Sequence, residues 1–375
     1  MVYLDNASTT QPFPEVVEIM SQASYEIYGN PSSTHSIGRK ARAKIEQARK
    51  DIAKHIGASG SEIIFTSGGT EANNIFLQGV AGQVKHIISS PLEHPAVLNT
   101  LKNLEQRNSL KISWLKVSKT GDFNIEEIRD LINTNSGSLV VLMNGNNEIG
   151  NLIDINSIAK LCENHKSMFF SDTVQTIGHY NINVKELGLT ALSASAHKFH
   201  GPKGVGFLYL KKGTNLHHIY SGGAQERGLR SGTENVAAIM GMAKALDLCY
   251  KDLETSQEET YELKSYLMDS IQSFIPDVEF NGTINDRNST MNSIVSVSLP
   301  PHEENEMLQF NLDLVGVAVS AGSACASGAV KDSHVMEAIG HDSERAVIRF
   351  SLSRQSTKKD IDFALSKINN IYRKT

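Results

Sequence analysis

The chain has 375 residues, a formal net charge of −5 and a hydrophobic content of 40%. No apolar run approaches the roughly 18 residues of a membrane span, so we do not expect a membrane-spanning protein. The acidic balance, with no long basic tract, argues against nucleic acid as a partner and favours a small molecule. A chain of this length is expected to fold as two closely packed domains.

The three cysteines, Cys162, Cys249 and Cys325, lie far apart and form no Cys-x-x-Cys pair. This spacing predicts no disulfide framework and, with an N-terminus that lacks a signal sequence, a cytoplasmic protein. Cys162 and Cys249 fall in helical patterns and are expected to be structural. Cys325 instead lies among the small residues of 320–329, where an accessible nucleophilic thiol is expected.

In chain order, an extended arm precedes an amphipathic helix in which apolar residues recur every three or four positions from Ile37 to Ile56. Short β-rich runs then alternate with helical or loop segments, at 62–66, 85–89, 111–117, 138–143, 168–171, 191–194 and 205–210. This alternation predicts an α/β domain with a mostly parallel sheet. The last two runs are too close for a crossover helix, so we expect them to form an antiparallel hairpin.

From about residue 255 the pattern changes. A polar helix is followed by strands at 293–299 and 346–351 and by helices near 303–314 and 357–372. These elements predict a smaller α+β domain. We therefore place the large domain at residues 12–255 and the small domain at residues 1–11 and 256–375.

Two glycine-containing segments suit a phosphate group. In the first, the strand at 62–66 runs through Gly69 and Thr70 into a helix start, where free N–H groups favour an anion. The second, residues 222–233, combines glycines and arginines with Thr233. The alternatives are an N-capped helix after a tight turn for the first segment and a solvated surface loop for the second.

A lysine follows the small-residue strand at 191–194, in the stretch Ser-Ala-His-Lys. A strand that delivers Lys198 to a fixed point suits Schiff-base chemistry. The flanking Ser195 and His197 could contribute to the same phosphate site. The alternative is a surface lysine at a strand end.

Three other residues occupy positions suited to chemistry. Asp172 follows the hydrophobic run at 168–171, where a carboxylate could keep a pyridine nitrogen protonated or cap the next helix. His94 lies beyond the strand at 85–89, where its ring could stack on a heterocycle, move a proton or serve only as a turn residue. Arg349 interrupts the last strand and needs an anionic partner, either a substrate carboxylate or a neighbouring acid.

Together these residues are the set expected of a pyridoxal-phosphate enzyme. Six short motifs accompany them: Asn-Pro-Ser-Ser-Thr-His at 30–35, Thr-Ser-Gly-Gly-Thr-Glu-Ala-Asn-Asn at 66–74, Asn-Asn-Glu-Ile-Gly at 146–150, Ser-Ala-His-Lys at 195–198, Arg-Ser-Gly-Thr at 230–233 and Ser-Ala-Cys at 323–325. Through these motifs the chain resembles, over its whole length, the cysteine desulfurases of the class-V aminotransferase branch. The resemblance implies the aspartate-aminotransferase-like fold, fold type I, in which a large α/β domain with a mostly parallel mixed sheet carries a smaller α+β domain. It implies conversion of L-cysteine to L-alanine, with the sulfur passing to a protein thiol.

The resemblance also implies a role for each site residue. Lys198 would bind pyridoxal phosphate covalently, Cys325 would form a persulfide, and His94 would stack on the ring and carry protons. The other implied cofactor contacts are Gly69, Thr70, Asn147, Asp172, Gln175, Ser195, His197 and Thr233. Asn147 and Arg349 would contact the substrate, and no metal ligand is implied.

Partners follow from the same resemblance. Thr233 would reach the cofactor phosphate of the other subunit, which makes the active unit a homodimer. A sulfur-acceptor protein is expected as well, and iron–sulfur cluster assembly and tRNA thiolation are among the pathways left open. The segment after Cys325 matches the long catalytic-loop type, whereas the short tail after the last helix differs from members that dock an iron–sulfur scaffold.

Three alternative functions stay open. A selenocysteine lyase and a class-V aminotransferase share the expected fold, although an aminotransferase needs no accessible thiol. A cofactor-binding sulfur carrier or assembly factor with little turnover of its own is the third alternative.

Overall fold

The computed structural model describes residues 1–108, 110–284, 286–320 and 333–372, so Cys325 lies outside the described residues. The strands are β1 Val2–Tyr3, β2 Ile63–Thr66, β3 His86–Ser89, β4 Lys111–Trp114, β5 Leu139–Val141, β6 Met168–Asp172, β7 Ala191–Ser195, β8 Gly206–Leu210, β9 Glu279–Asn281, β10 Ile294–Leu299, β11 Val317–Ala318 and β12 Ala346–Ser351. Each strand that the sequence predicts is present, within a few residues of its expected bounds.

The α-helices are α1 Pro14–Glu26, α2 Ser36–His55, α3 Gly69–Val80, α4 Pro95–Asn108, α5 Ile125–Thr134, α6 Ile155–Asn164, α7 Val184–Leu187, α8 Val236–Lys251, α9 Leu253–Phe274, α10 Leu308–Leu314, α11 His334–Ile339 and α12 Lys358–Tyr372. The predicted amphipathic helix is α2, which begins where the His35 side chain accepts a hydrogen bond from the Gly38 N–H. Within the described ranges, no helix is long and apolar enough to cross a membrane.

A seven-stranded sheet in the order β2-β8-β7-β6-β5-β3-β4 forms the centre of the larger unit. β8 runs antiparallel to β7 and β2, and the other neighbours are parallel, which confirms the predicted hairpin and the mostly parallel sheet. Neighbouring residues of one strand, such as Phe169 and Phe170, belong to two different hydrophobic clusters because successive side chains point to opposite faces. Both faces of the sheet are therefore buried, as is usual for parallel strands.

The second unit contains the antiparallel sheet β12-β10-β9 and the short parallel pair β1-β11. Its own hydrophobic cluster includes Leu4, Ile271, Val297 and Ile361. We propose that this unit is the small domain, residues 1–11 and 256–375, and that residues 12–255 form the large domain. The separate cluster, which joins the N-terminal arm to the C-terminal elements, supports this division.

Cys162 and Cys249 are buried, as the sequence predicts, and neither forms a disulfide. Burial raises the pKa of each thiol to about 12. Both therefore stay protonated near neutral pH, whereas a reactive cysteine would be a thiolate.

Candidate active site

A cavity of about 320 Å³ opens at the carboxyl ends of β3, β5, β6 and β7. Parallel strands present these ends at one edge of a sheet, which is where ligands bind in α/β folds. Ten of the predicted site residues line it: Gly69, Thr70, His94, Asn147, Asp172, Gln175, Ser195, His197, Lys198 and Arg349. The structure brings these residues together, and their chemical roles stay predictions.

Two predicted site residues do not line this cavity. Cys325 lies outside the described residues. Thr233 is exposed and lines a separate cavity of about 180 Å³, together with Glu226 and Arg230. The Thr233 side chain is therefore accessible to a second molecule.

Asp172 is the last residue of β6 and is only 5% exposed. Its Oδ2 accepts a hydrogen bond from Asn73 Nδ2 at 2.7 Å, and its Oδ1 accepts the Val174 N–H at 3.0 Å. The chain continues as a turn after Asp172, so the helix-capping alternative is wrong. A fixed, buried carboxylate beside the cavity is suited to a cationic nitrogen.

Lys198 is half-buried at the end of the 3₁₀ turn that follows β7. Its Nζ donates hydrogen bonds to the carbonyl oxygens of Ala7, at 2.5 Å, and Ser8, at 2.8 Å. Gln175 Nε2 donates to the same Ala7 oxygen at 3.0 Å. Lys198 is thus held inside the cavity by the N-terminal arm, and the surface-lysine alternative is wrong.

The Gly68–Gly69 turn packs closely against the β7–β8 hairpin. A Cβ atom at Gly206 would lie 2.3 Å from the Ala194 oxygen and 2.7 Å from Gly68 Cα, so a larger residue would displace the turn. The first turn of α3, which begins at Gly69, has N–H groups without intrahelical acceptors. With the hydroxyls of Thr70 and Ser195, these groups form a donor set for an anion at one end of the cavity.

His197 also lines the cavity. Burial lowers its pKa to about 4, and the charges of Lys198 and Lys203 act in the same direction. The imidazole is therefore neutral near pH 7 and carries a single N–H. Its Nδ1 lies 3.2 Å from the Thr9 hydroxyl oxygen, so the arm also influences which ring nitrogen holds that proton.

Burial shifts the pKa values of His94 and its neighbour Glu93 in opposite directions. Burial lowers the pKa of His94, and its Nδ1 accepts the Ala96 N–H at 3.1 Å, which leaves the ring proton on Nε2. Burial raises the pKa of Glu93 well above its usual range, and the charge of Asp172 adds to this effect. Met143 N–H donates to one Glu93 oxygen at 2.8 Å. Burial and the charge of Asp172 thus both favour the neutral form of the Glu93 carboxyl.

Arg349 is 2% exposed. Of the two anionic partners that its sequence position allows, a substrate carboxylate or a neighbouring acid, the structure shows the acid, Asp5. Its Nη2 donates to Asp5 Oδ1 at 2.9 Å and Ser8 Oγ at 2.8 Å, and its Nη1 donates to the Asn147 oxygen at 2.7 Å. Among the described residues, its Nε–H has no partner. Because the guanidinium also lines the cavity, it retains donors for a substrate carboxylate.

Sequence reasoning missed several residues of this site. Ala7, Ser8, Asn73 and Glu148 all line the cavity. Asn73 follows Thr70 by three residues, so helical spacing places both on one face of α3 and could have indicated it. No local pattern indicates the backbone carbonyls of the arm.

The buried histidines predict that the fold becomes unstable in acid. His200 Nδ1 lies 2.8 Å from the Gln11 oxygen, within hydrogen-bond distance, and its Nε2 has no partner within the described chain. Burial lowers its pKa to about 4. The unfolded state therefore binds more protons between about pH 6.5 and pH 4, and the free energy of unfolding falls as pH falls through this range, by up to about 1.4 kcal/mol per pH unit for each such group.

Urea unfolding at pH values from about 7 to 5 measures this slope, before most carboxylates titrate. His200 has a left-handed φ of 61°, which asparagine tolerates, so His200→Asn keeps the backbone and a donor for Gln11. We expect the variant to show a shallower pH dependence than the parent. Identical slopes would contradict the assignment.

Comparison with known proteins places this geometry in a family. The model of the family described as aminotransferase class-V matches residues 2–363. "Cysteine desulfurase IscS" of Dictyoglomus turgidum is 42% identical over 100% of this chain and 95% of its own length. A solved structure described as a NifS-like protein superposes with a TM-score of 0.91 at 34% identity, covering 100% of both chains.

A further solved structure, described as SspA in complex with cysteine, has a TM-score of 0.81 at 29% identity and covers 95% of this chain and 100% of its own. These likenesses extend over both structural units and confirm the predicted fold class. The chain belongs to the cysteine desulfurase family within the class-V aminotransferases.

Proposed function

We propose that this chain converts L-cysteine to L-alanine with bound pyridoxal phosphate and transfers the sulfur to Cys325. The observation that carries the proposal is the convergence of Lys198, Asp172 and Arg349 with an anion-binding turn in one cavity. An amine, a carboxylate and a guanidinium so arranged match an amino-acid substrate and a phosphorylated pyridine cofactor.

The residues present fit pyridoxal phosphate. The α3 turn with Thr70, Ser195 and His197 would hold the phosphate, and Asp172 would pair with the protonated pyridine nitrogen. Gln175 would contact the ring hydroxyl, and His94 would stack on the ring. When bound, the cofactor supplies an electron sink that stabilises negative charge on the substrate carbon next to the amino group.

The chain's own groups would orient the substrate and move protons. Arg349 would bind the substrate carboxylate, with its guanidinium fixed by Asp5 and by the Asn147 oxygen. Lys198 Nζ would attach the cofactor and, once released by substrate, carry the proton taken from the α-carbon. The oxygens of Ala7 and Ser8 accept hydrogen bonds from Lys198 Nζ and would orient it in the cavity. His94 Nε2–H is the second proton carrier.

Sulfur transfer requires a thiolate that attacks the substrate sulfur. The carbon–sulfur bond of the substrate breaks and a sulfur–sulfur bond to Cys325 forms, while the carbon skeleton takes up a proton and leaves as L-alanine. One cysteine and one protein thiol thus give one alanine and one persulfide. The motif Ser-Ala-Cys at 323–325 and the family membership support this role for Cys325.

We propose a homodimer in which Thr233 contacts the cofactor phosphate of the partner subunit. Its exposure, and its position outside the cavity of its own subunit, support this arrangement. A sulfur-acceptor protein in the cytoplasm, for cluster assembly or tRNA thiolation, would receive the sulfur from the persulfide.

Mass spectrometry after incubation with L-cysteine tests the transfer. We expect one added sulfur atom on Cys325, and alanine release without any partner protein, which distinguishes an enzyme from a sulfur carrier. Cys325→Ala should reduce alanine release at least about 100-fold, the usual scale for loss of a catalytic nucleophile. The buried Cys162→Ala is the matched control and should retain activity.

Two outcomes would contradict this assignment. Undiminished alanine and sulfide release by Cys325→Ala would show that Cys325 is not the nucleophile. Retained activity of the same variant on selenocysteine, with higher turnover of selenocysteine than of cysteine by the parent, would favour the lyase alternative.

A further inference from the structure

A buried ion pair, Arg49–Glu226, lies outside the cavity and takes part in none of the steps above. The Arg49 side chain is 2% exposed and the Glu226 side chain 1%. Two parallel hydrogen bonds join them, Nη1 to Oε2 and Nη2 to Oε1, both at 2.7 Å. A buried pair of this kind adds little net stability compared with well-packed apolar residues. It can instead favour one arrangement of the two segments that it joins.

The pair joins residues 222–233 to β2, an edge strand of the large sheet. Glu226 Oε2 accepts the Phe65 N–H at 2.8 Å, and Arg49 Nη1 donates to the Ile63 oxygen at 2.8 Å. Arg227 Nη1 donates to the same Ile63 oxygen at 3.2 Å. These side chains satisfy the free edge of β2 in place of another strand, so the segment is held in one register.

The backbone of the segment is strained at this point. Glu226 has a φ of 44° and Arg227 a φ of 59°, both in the left-handed region that costs energy for residues other than glycine. Such a conformation persists only where surrounding contacts impose it. The ion pair and the β2 edge provide those contacts.

Thr233 lies between two further attachment points. Arg230 Nε is 3.0 Å from Glu71 Oε1, on the first turn of α3, and Arg42 Nη1 is 3.1 Å from Glu234 Oε1. β2 also runs directly into the glycine turn that begins α3. The same strand, β2, therefore anchors both the segment that carries Thr233 and the glycine turn that begins α3.

We propose that the Arg49–Glu226 pair is a positioning device that presents Thr233 to the cofactor phosphate in the partner subunit. This inference rests on the homodimer of the proposed function. Neither residue touches cofactor or substrate; both act through the backbone of residues 226–233.

Mixed dimers of two differently tagged chains test the proposal. One chain carries Lys198→Ala, and the other keeps Lys198 and reports on its own cofactor. With Glu226→Gln on the Lys198→Ala chain, the reporting site should release pyridoxal phosphate roughly five to ten times faster, the scale of one lost hydrogen bond. Release is measured as loss of the lysine-bound cofactor absorbance, which only the reporting site gives, in the presence of an excess of an unrelated apoprotein that binds the cofactor.

The same substitution on the reporting chain is the internal control. Glu226→Gln there should leave the release rate within about twofold of the parent, since its own Thr233 faces the other site. A merely structural defect would act on the chain that carries it. Faster release with Glu226→Gln on the reporting chain, or equal release rates for the two placements of the substitution, would overturn the proposal.

Thr233→Ala on the Lys198→Ala chain separates the two proposals. If it leaves release unchanged, the contact across the dimer is wrong and the proposed subunit arrangement fails. If it accelerates release while Glu226→Gln does not, the dimer contact stands and the positioning role of the ion pair is overturned.

Removal of Glu226 alone leaves Arg49 charged and buried, which destabilises the chain. The double variant Arg49→Met with Glu226→Gln removes both charges and keeps an oxygen for the Phe65 N–H. We expect it to give the same faster release across the dimer, and a folded double variant with unchanged release would contradict the proposal. Ile52→Ala, also buried on α2, is the control for lost stability and should not alter release in the partner site.

Discussion

Replacement of Lys198 by alanine should lower the rate of alanine formation at least about 1,000-fold, because we propose that this one amine is both the covalent attachment for the cofactor and the proton carrier. The variant should still bind pyridoxal phosphate through the phosphate and Asp172 contacts. Its visible absorbance should then be that of the free aldehyde rather than that of a lysine-bound cofactor. Steady-state alanine assays and absorbance spectra of the purified variant measure both effects.

Lys203→Ala is the matched control, since Lys203 is an exposed lysine five residues further along the chain. It should retain the parent's activity and spectrum. Small primary amines added to Lys198→Ala should restore part of the activity if the missing group is the Nζ amine. A Lys198→Ala variant with the parent's spectrum and rate would show that another group attaches the cofactor.

Substitution Asp172→Asn should reduce alanine formation by about 10²- to 10³-fold, the scale for removing one preorganised electrostatic contact. The amide cannot keep the pyridine nitrogen protonated as a carboxylate does. The fold should tolerate the change, because Asn73 Oδ1 has no partner among the described residues and can accept the new amide N–H. Assays of alanine formation, with urea unfolding as a stability check, measure the effect.

Asn73→Ala tests how much the position of the Asp172 carboxylate matters, as distinct from its charge. It removes the 2.7 Å hydrogen bond to Asp172 but leaves the carboxylate, so we expect a loss of only about tenfold. Asp172→Asn activity equal to the parent's, in a stable and cofactor-loaded protein, would contradict the role of Asp172. Equal losses in both variants would show that position matters more than charge.

Part of this site was predictable because strand ends are local features. Asp172 and Lys198 each follow a short apolar run, and the α/β alternation already implies that such ends share one edge of the sheet. The glycine turn before α3 is also a local pattern, as a strand, two glycines and a helix start follow one another. The family resemblance then supplied the chemical roles, which these patterns alone left open.

The partners of the same residues were not predictable, because they lie far away along the chain. Arg349 needed an anion, but only the folded structure selects Asp5, 344 positions away, and leaves the guanidinium in the cavity as well. The raised pKa of Glu93 likewise depends on burial, which arises from packing rather than from its sequence neighbours.

The sequence by itself determined the succession of strands and helices along the chain, the family, and the set of candidate site residues. Periodicity, glycine turns and short motifs are properties of residues close together in the chain, so they can be recognised without knowledge of the fold. Only the tertiary structure decided that the N-terminal arm holds Lys198 and Arg349, that Thr233 lies outside the cavity lined by Lys198, and that Arg49 pairs with Glu226 across 177 positions. These contacts depend on how separate elements pack, and packing is a property of the whole chain.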